Sequence, residues 1–330
     1  MQMRWFFISA VLFLAACTKE YNFKLDDTKP LYVIEGRISD LKGPYFIHIT
    51  RSTNLFGYPL VVTNDADSFD AVQGAEVIIS DDMGTVDTLI PAVDKLPRWH
   101  YRYNEGKYDS MYFNLFPNKV VTAKRGYYQT TKIQGKPGHT YHLHVRIGDS
   151  IFQSSAYMPP VPTLDSAVVE MDAVVNAAGD KGYLPLAWFK EPQNEKNYYM
   201  LQFYPHITEH PFDMFTIEYN NYNSIPFVVD DNILPSEVNG LSVQLIWPDS
   251  YPYPGPGPYL NFHPYMYASH IRLCSLTKEA YGYFNELRKQ LKADGNVYKP
   301  VPASANGNIR GGALGLFWAS GISYKLIWPN

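Results

Sequence analysis

The side chains that could do chemistry fall into a few clusters. His206-Ile207-Thr208-Glu209-His210 has the His-x-x-Glu-His order of an inverted zinc-protease motif. That chemistry needs both imidazoles on one helix face, a turn apart, holding one Zn²⁺ beside a Glu base. Pro205 and Pro211 bracket the run, and Pro211 disfavours helical geometry at His210, so a loop or strand edge is predicted. Ser275-Leu276-Thr277-Lys278 has the Ser-x-x-Lys order in which a lysine assists serine deprotonation. The companion Ser-Asp-Asn and Lys-Thr-Gly elements do not occur, and Ser275 and Thr277 read better as helix-start residues. His142 and His144, near His139, share one face of a strand and could ligate a metal or haem; solvated strand residues are the simpler account. The oxygens of Asn64-Asp65-Ala66-Asp67-Ser68-Phe69-Asp70 could meet Ca²⁺, but the Gly and terminal Glu of an EF-hand loop are missing. Cys274, in the strand-like Ile271-Arg272-Leu273-Cys274, reads as a buried, inert thiol. Tyr251, Tyr253 and Tyr259 lie in a Pro/Gly-rich run. Prolines lower the entropy of such a loop and tyrosines offer flat amphipathic area, so these three are the candidate partner contacts. No phosphate-binding Gly loop, Rossmann fingerprint or Gly-x-Ser-x-Gly elbow occurs. No catalytic residue and no cofactor is assigned; a metal-dependent hydrolase built on His206 and His210 is the one enzymatic alternative.

The elements that must position these residues are mainly β-strands. With 27 Tyr, 25 Pro and 22 Gly among 330 residues, the composition favours strands joined by Pro/Gly turns. A net charge of −4 gives no basic footprint, which argues against nucleic acid as a partner. Tyr141 to Ile147 alternates apolar and polar, placing His142, His144 and Arg146 on the outer face, and Gly148-Asp149 makes a two-residue turn into Ser150–Ser154. Short strands with turn signals at this spacing over residues 31–157 predict an immunoglobulin-like β-sandwich. Met158-Pro159-Pro160-Val161-Pro162 can sustain neither ladder nor helix, so 158–163 is read as a stiff connector. Residues 164–330 then form a second β-rich domain. It contains one amphipathic helix over 277–293, capped by Thr277, with Ala280, Phe284, Leu287 and Leu291 as its apolar stripe. Gly311 to Trp328 is expected to supply closing strands.

Residues 1–16 read as a signal peptide. Arg4 supplies the positive region, Trp5 to Leu14 is an apolar run too short to span a ~30 Å bilayer core, and Leu14-Ala15-Ala16-Cys17 resembles the lipobox of bacterial lipoproteins. That resemblance implies cleavage before Cys17 and lipidation of its thiol, with 17–30 as a polar tether. Cys274 is then the only free thiol, so no intramolecular disulfide forms and stability rests on packing.

Further motifs follow in a consistent order: Leu31-Tyr32-Val33-Ile34-Glu35-Gly36, Val72-Gln73-Gly74-Ala75-Glu76-Val77, Pro137-Gly138-His139-Thr140-Tyr141, the proline connector, Ser275 to Tyr281, and Asn308-Ile309-Arg310-Gly311-Gly312-Ala313-Leu314-Gly315. In this order they resemble a family of Bacteroidota lipoproteins known as domain of unknown function (DUF) 4249. The resemblance implies an outer-membrane lipoprotein, often encoded beside a TonB-dependent transporter, and carries no catalytic or ligand residues across. The expected function is therefore a non-catalytic accessory or substrate-presenting component of a TonB-dependent uptake complex, lipid-anchored at the outer membrane. The alternative is a stand-alone surface binding protein for a glycan, peptide or metal complex.

Overall fold

The computed structural model describes residues 30–52, 70–92, 103–104, 107–108, 125–175, 181–193, 195–208, 227–242, 265–291 and 305–327. The first part of the chain supplies β1 (Tyr32–Ser39), β2 (Phe46–Arg51), β3 (Asp70–Ala71), β4 (Glu76–Asp81), β5 (Val86–Thr88) and β6 (Ile90–Pro91). A small hairpin follows, β7 (Tyr103–Asn104) with β8 (Lys107–Tyr108), and then β9 (Tyr127–Gln129), β10 (Thr140–Ile147) and β11 (Ser150–Tyr157). The second part supplies β12 (Leu164–Val175), β13 (Lys181–Lys190), β14 (Tyr198–Thr208), β15 (Phe227–Asp230), β16 (Glu237–Ser242) and β17 (Tyr265–Leu276). Helix α1 (Lys278–Leu291), β18 (Phe317–Ser320) and β19 (Ile322–Ile327) complete it. The mainly-β class with one helix near the end agrees with the sequence reading.

The first sandwich faces a sheet ordered β18-β1-β2-β9-β6, with β3 also on β2, against a sheet ordered β11-β10-β4-β5. Period-2 patterning builds its core. Ile34, Ile38, Ile47 and Ile49 from one sheet meet Val77, Ile79, Tyr141, Leu143, Val145 and Phe152 from the other. The β10–β11 register opens at Ile147↔Ser150, so the turn is the two-residue Gly148-Asp149 predicted, with Gly148 at φ 57°. The turn after β4 is fixed by its own aspartate. Asp81 Oδ1 accepts from the backbone N–H of Met83 (3.1 Å) and Thr85 (2.8 Å).

The second sandwich packs β12-β13-β16 against β15-β14-β17-β19, around Leu164, Phe189, Tyr199, Leu201, Ile271 and Leu273. Its larger sheet is covered on its other face too. Met200, Cys274 and Leu276 point away from that core into a third cluster with Ala280 of α1 and Leu316, Trp318 and Ile322. Burial on both faces explains why Ile271 to Leu276 is buried residue after residue.

The connector at 158–163 is irregular, as the prolines require. The closing segment behaves differently from its place in the chain. β18 leaves the second unit and pairs in parallel with β1, Gly36↔Phe317 to Ser39↔Ser320, so the first sandwich takes its edge strand from the C-terminus. β19 then returns to pair with β17. Gly315 makes this threading possible: at φ +107° a Cβ there would lie 2.1 Å from the Ile34 carbonyl oxygen. The two units are further tied at Ser275, whose Oγ donates to the Pro159 carbonyl (2.7 Å) and accepts from Gly321 N–H (2.9 Å).

Candidate functional site

The outer face of β10 carries His142, His144 and Arg146, alternating with buried Tyr141, Leu143 and Val145 as predicted. Arg146 is closed off by an ion pair with Glu76 across the sheet (2.7 Å), which holds the Glu76 carboxyl below its ordinary range. His142 is exposed. His144 is half-buried, and its Nδ1 is inaccessible and has no hydrogen-bond partner. His139 does not join them. It sits at the start of the strand with Nδ1 2.8 Å from Asp82 Oδ1. Asp82 also accepts from Thr140 N–H, and the two bonds keep its carboxyl below the usual value. Among the described residues no group of three His, Cys, Asp or Glu side chains is placed to hold a metal ion.

Helix α1 and the 305–310 segment stand beside this face and close a cleft of about 910 Å³. Residues Ile78, Ser80, His142, His144, Gln153 and Ser155 come from the sheet side. The opposite wall comes from α1. Thr277 caps the helix, its Oγ1 accepting from Ala280 N–H (3.2 Å), as the sequence predicts. Glu279, Tyr283 and Glu286, spaced +4 and +3, then line the cleft together. Ala280 and Phe284 pack on the junction cluster, with the Phe284 and Trp318 rings edge-on at 5.1 Å, and Tyr283 borders both that cluster and the cleft. Gly282 also lines the cleft, and a Cβ there would meet nothing within 4 Å, so this helix-weakening residue leaves room.

The third wall, Asn306 to Arg310, is pinned at three points. Asn306 N–H donates to Glu286 Oε2 (2.8 Å). The Asn308 side chain clasps Phe317, accepting from its N–H (2.9 Å) and donating to its carbonyl (2.7 Å). Arg310 and Gln153 exchange backbone hydrogen bonds (2.8 and 3.1 Å) at the β11 edge. These bonds tie the third wall to α1, to β18 and to β11. Burial raises the Tyr283 hydroxyl to a pKa of about 12, so it is a neutral donor and acceptor at physiological pH.

Of the residues singled out in the sequence, His142 and His144 are brought together here. His206 lies in β14, its backbone extended opposite Ala268, and strand structure continues through Thr208; Glu209 and His210 lie outside the described residues. Extended backbone at His206 is incompatible with the single helical turn that the zinc-protease geometry needs. Ser275 is 1 % exposed and its hydroxyl is committed to Pro159 and Gly321, while Lys278 is exposed. That pair is a joint and a helix start, not a nucleophile and its base. Cys274 is fully buried, with the Arg37 guanidinium 3.6 Å from Sγ. Cys17, Tyr251, Tyr253 and Tyr259 lie outside the described residues, as do 64–69 of the acidic loop. No helix among the described residues is long and apolar enough to cross a membrane.

Glu279, Tyr283, Glu286 and Arg310 were not legible as site residues. Their spacing in α1 does place the first three on one stripe, but only the return of β18 brings that stripe to the sheet. Residues 18–325 match the family described as domain of unknown function DUF4249. No curated protein and no solved structure matches the chain.

Proposed function

Because the chain belongs to the DUF4249 family, we propose that it is a lipid-anchored, non-catalytic accessory or substrate-presenting component of a TonB-dependent uptake complex at the bacterial outer membrane. The observation that carries this reading is the leader, an apolar run closing on Leu14-Ala15-Ala16-Cys17. Acyl chains on Cys17 would hold the protein at the membrane, each buried methylene contributing ~0.8 kcal/mol. Tyr251, Tyr253 and Tyr259 are the proposed contacts with the transporter. The test is gentle extraction from native membranes, affinity isolation and mass spectrometry, alongside fatty-acid labelling of the wild type and a Cys17→Ala variant. Labelling that depends on Cys17 and co-isolation of a transporter are expected. An unlabelled wild type, or isolates repeatedly free of any transporter, would overturn the reading.

A second reading, a surface binding protein acting without a stable transporter, is favoured by the cleft beside His144. A ligand that raises the melting temperature of protein isolated without a transporter would favour it over the first.

A further inference from the structure

We propose that the cleft between the β4–β10–β11 face and α1 is a binding site for a neutral oligosaccharide segment. This rests on the binding role common to both readings above, and it names the ligand class. Polar side chains of both charge signs converge on the cleft: Glu279 on the helix, Arg310 on the third wall, His142 and His144 on the sheet. A sugar hydroxyl both donates and accepts, so it can satisfy a carboxylate, a guanidinium and an imidazole in either tautomer. The half-buried His144 ring lines the cleft between Glu279 on the helix and Gln153 on the next strand, so it adds an imidazole to the polar groups that a ligand meets. Tyr283 and Ile78, both partly exposed, add the apolar surface against which the C–H face of a pyranose ring can lie.

Other ligand classes fit the same walls less well. An anion would meet Glu279 and Glu286, and a cation would meet Arg310. A peptide that adds as a strand needs a free sheet edge, and the β11 edge is bridged at Gln153 by Arg310. A bare metal ion lacks a trio of donors among the described residues. The volume of about 910 Å³ is at the upper end of small-molecule sites, roughly 300–1,000 Å³, which suits several sugar units rather than one.

The test uses the lipidated full chain in a detergent without a sugar headgroup. Isothermal titration calorimetry is run with maltohexaose, cellohexaose, xylohexaose and mannohexaose, and in parallel with an oligogalacturonate, a chitosan hexamer and a hexapeptide. At least one neutral oligosaccharide is expected to bind. Glu279→Gln and His144→Ala should each weaken it about tenfold, the loss of roughly one hydrogen bond to a charged or desolvated group. Glu279 is an exposed helix residue, so its variant should keep the wild-type melting temperature. Binding that survives both substitutions, a preference for the charged sugars or the peptide, or no neutral sugar bound at millimolar concentration would each overturn the assignment. Transporter co-isolation and Cys17 labelling are read separately, so failure here and failure of the anchored-accessory reading are distinguishable.

Discussion

At the scale of single residues, tyrosine hydroxyls and buried carboxylates do much of the tying in the first sandwich. The Tyr45 hydroxyl lies 2.6 Å from the carbonyls of both Ser39 and Leu41 and accepts from Gly135 N–H (3.1 Å). Tyr128 donates to Val72 O (3.0 Å) and accepts from Ala75 N–H (2.9 Å). Each ring fills the core while its oxygen staples a loop. Burial raises the pKa of the Tyr45 hydroxyl to about 12. Asp87 works in the same way but as an anion. It is fully buried and accepts from the N–H groups of Thr131, Lys132 and Ile133 and from the Thr131 hydroxyl, all between 2.7 and 3.0 Å. Burial pushes its carboxyl up, and the hydrogen bonds more than reverse that, leaving its pKa below the ordinary value. Glu191, also buried, accepts from Asn197 Nδ2 (3.1 Å) beside the Tyr199 hydroxyl, and desolvation leaves its pKa raised. The two carboxylates therefore act in opposite directions. Asp87, lowered in the fold, contributes stability that is present above its unfolded pKa of about 3.9 and is lost as pH falls through the folded value. Glu191, raised in the fold, contributes stability that is lost as pH rises through its folded value. Asp87→Asn can keep its oxygen on the three N–H donors and turn its amide nitrogen to the Thr131 hydroxyl, which then accepts, so the loss is that of the carboxylate charge and is expected to cost about 1.5–3 kcal/mol at neutral pH. In chemical denaturation from pH 7 down to pH 3, the gap between wild type and variant should narrow below about pH 4. A gap that stays constant would show that the carboxylate is not ionised in the fold.

At the scale of elements, the strands and the helix were legible because their signals are local. The alternation of Tyr141 to Ile147 and the Gly148-Asp149 turn need nothing beyond the segment itself to set which side chains face out. Helix α1 begins where Thr277 predicts. Thr277→Ala is expected to destabilise the protein by about 1 kcal/mol, and because Glu279 and Tyr283 follow within two turns, it should also weaken any ligand held in the cleft. Equilibrium urea unfolding measures the first effect, and an unchanged midpoint would deny the cap its role. The partner of the helix was only partly legible. Its apolar stripe asks for an apolar surface, and the second sheet supplies some of it. Trp318 supplies the rest from a strand that belongs to the other sandwich, with Leu316 just before that strand. Glu279 and Glu286, polar on a helix, carry no local sign that they face another sheet. The His-x-x-Glu-His order failed for a related reason: the long β14–β17 ladder holds His206 extended, opposite Ala268, and hydrogen bonds along a ladder outweigh a five-residue motif.

At the scale of the whole molecule, residues 308–327 join three cores. Phe317 and Ala319 enter the first sandwich, Ile327 the second, and Leu316, Trp318 and Ile322 the junction. Leu316, Phe317, Trp318, Ile322 and Ile327 each contribute roughly 1.5–3 kcal/mol on burial, a sum of the same order as a domain's net stability of about 5–15 kcal/mol. A chain ending at Gly307 is therefore expected to lose cooperative unfolding in the first sandwich as well as the second. Thermal melts by circular dichroism test this, and a single sharp transition within a few degrees of the full chain would refute it. Arg37 and Asp40 mark the same joint. The Arg37 guanidinium lies 4.6 Å over the Trp318 ring, and Asp40 Oδ1 accepts from Ile322 N–H (2.9 Å). By itself the sequence determined the β class, the Gly148-Asp149 turn, the irregular backbone at 158–163 and the helix cap, because each depends on residues close together along the chain. The parallel β1–β18 pair and the cleft depend on which distant segment returns to which sheet edge. Those edges all offer the same unpaired N–H and C=O groups. Only the packed structure, through the fit of Phe317 and Trp318 and the missing side chain at Gly315, chose among them.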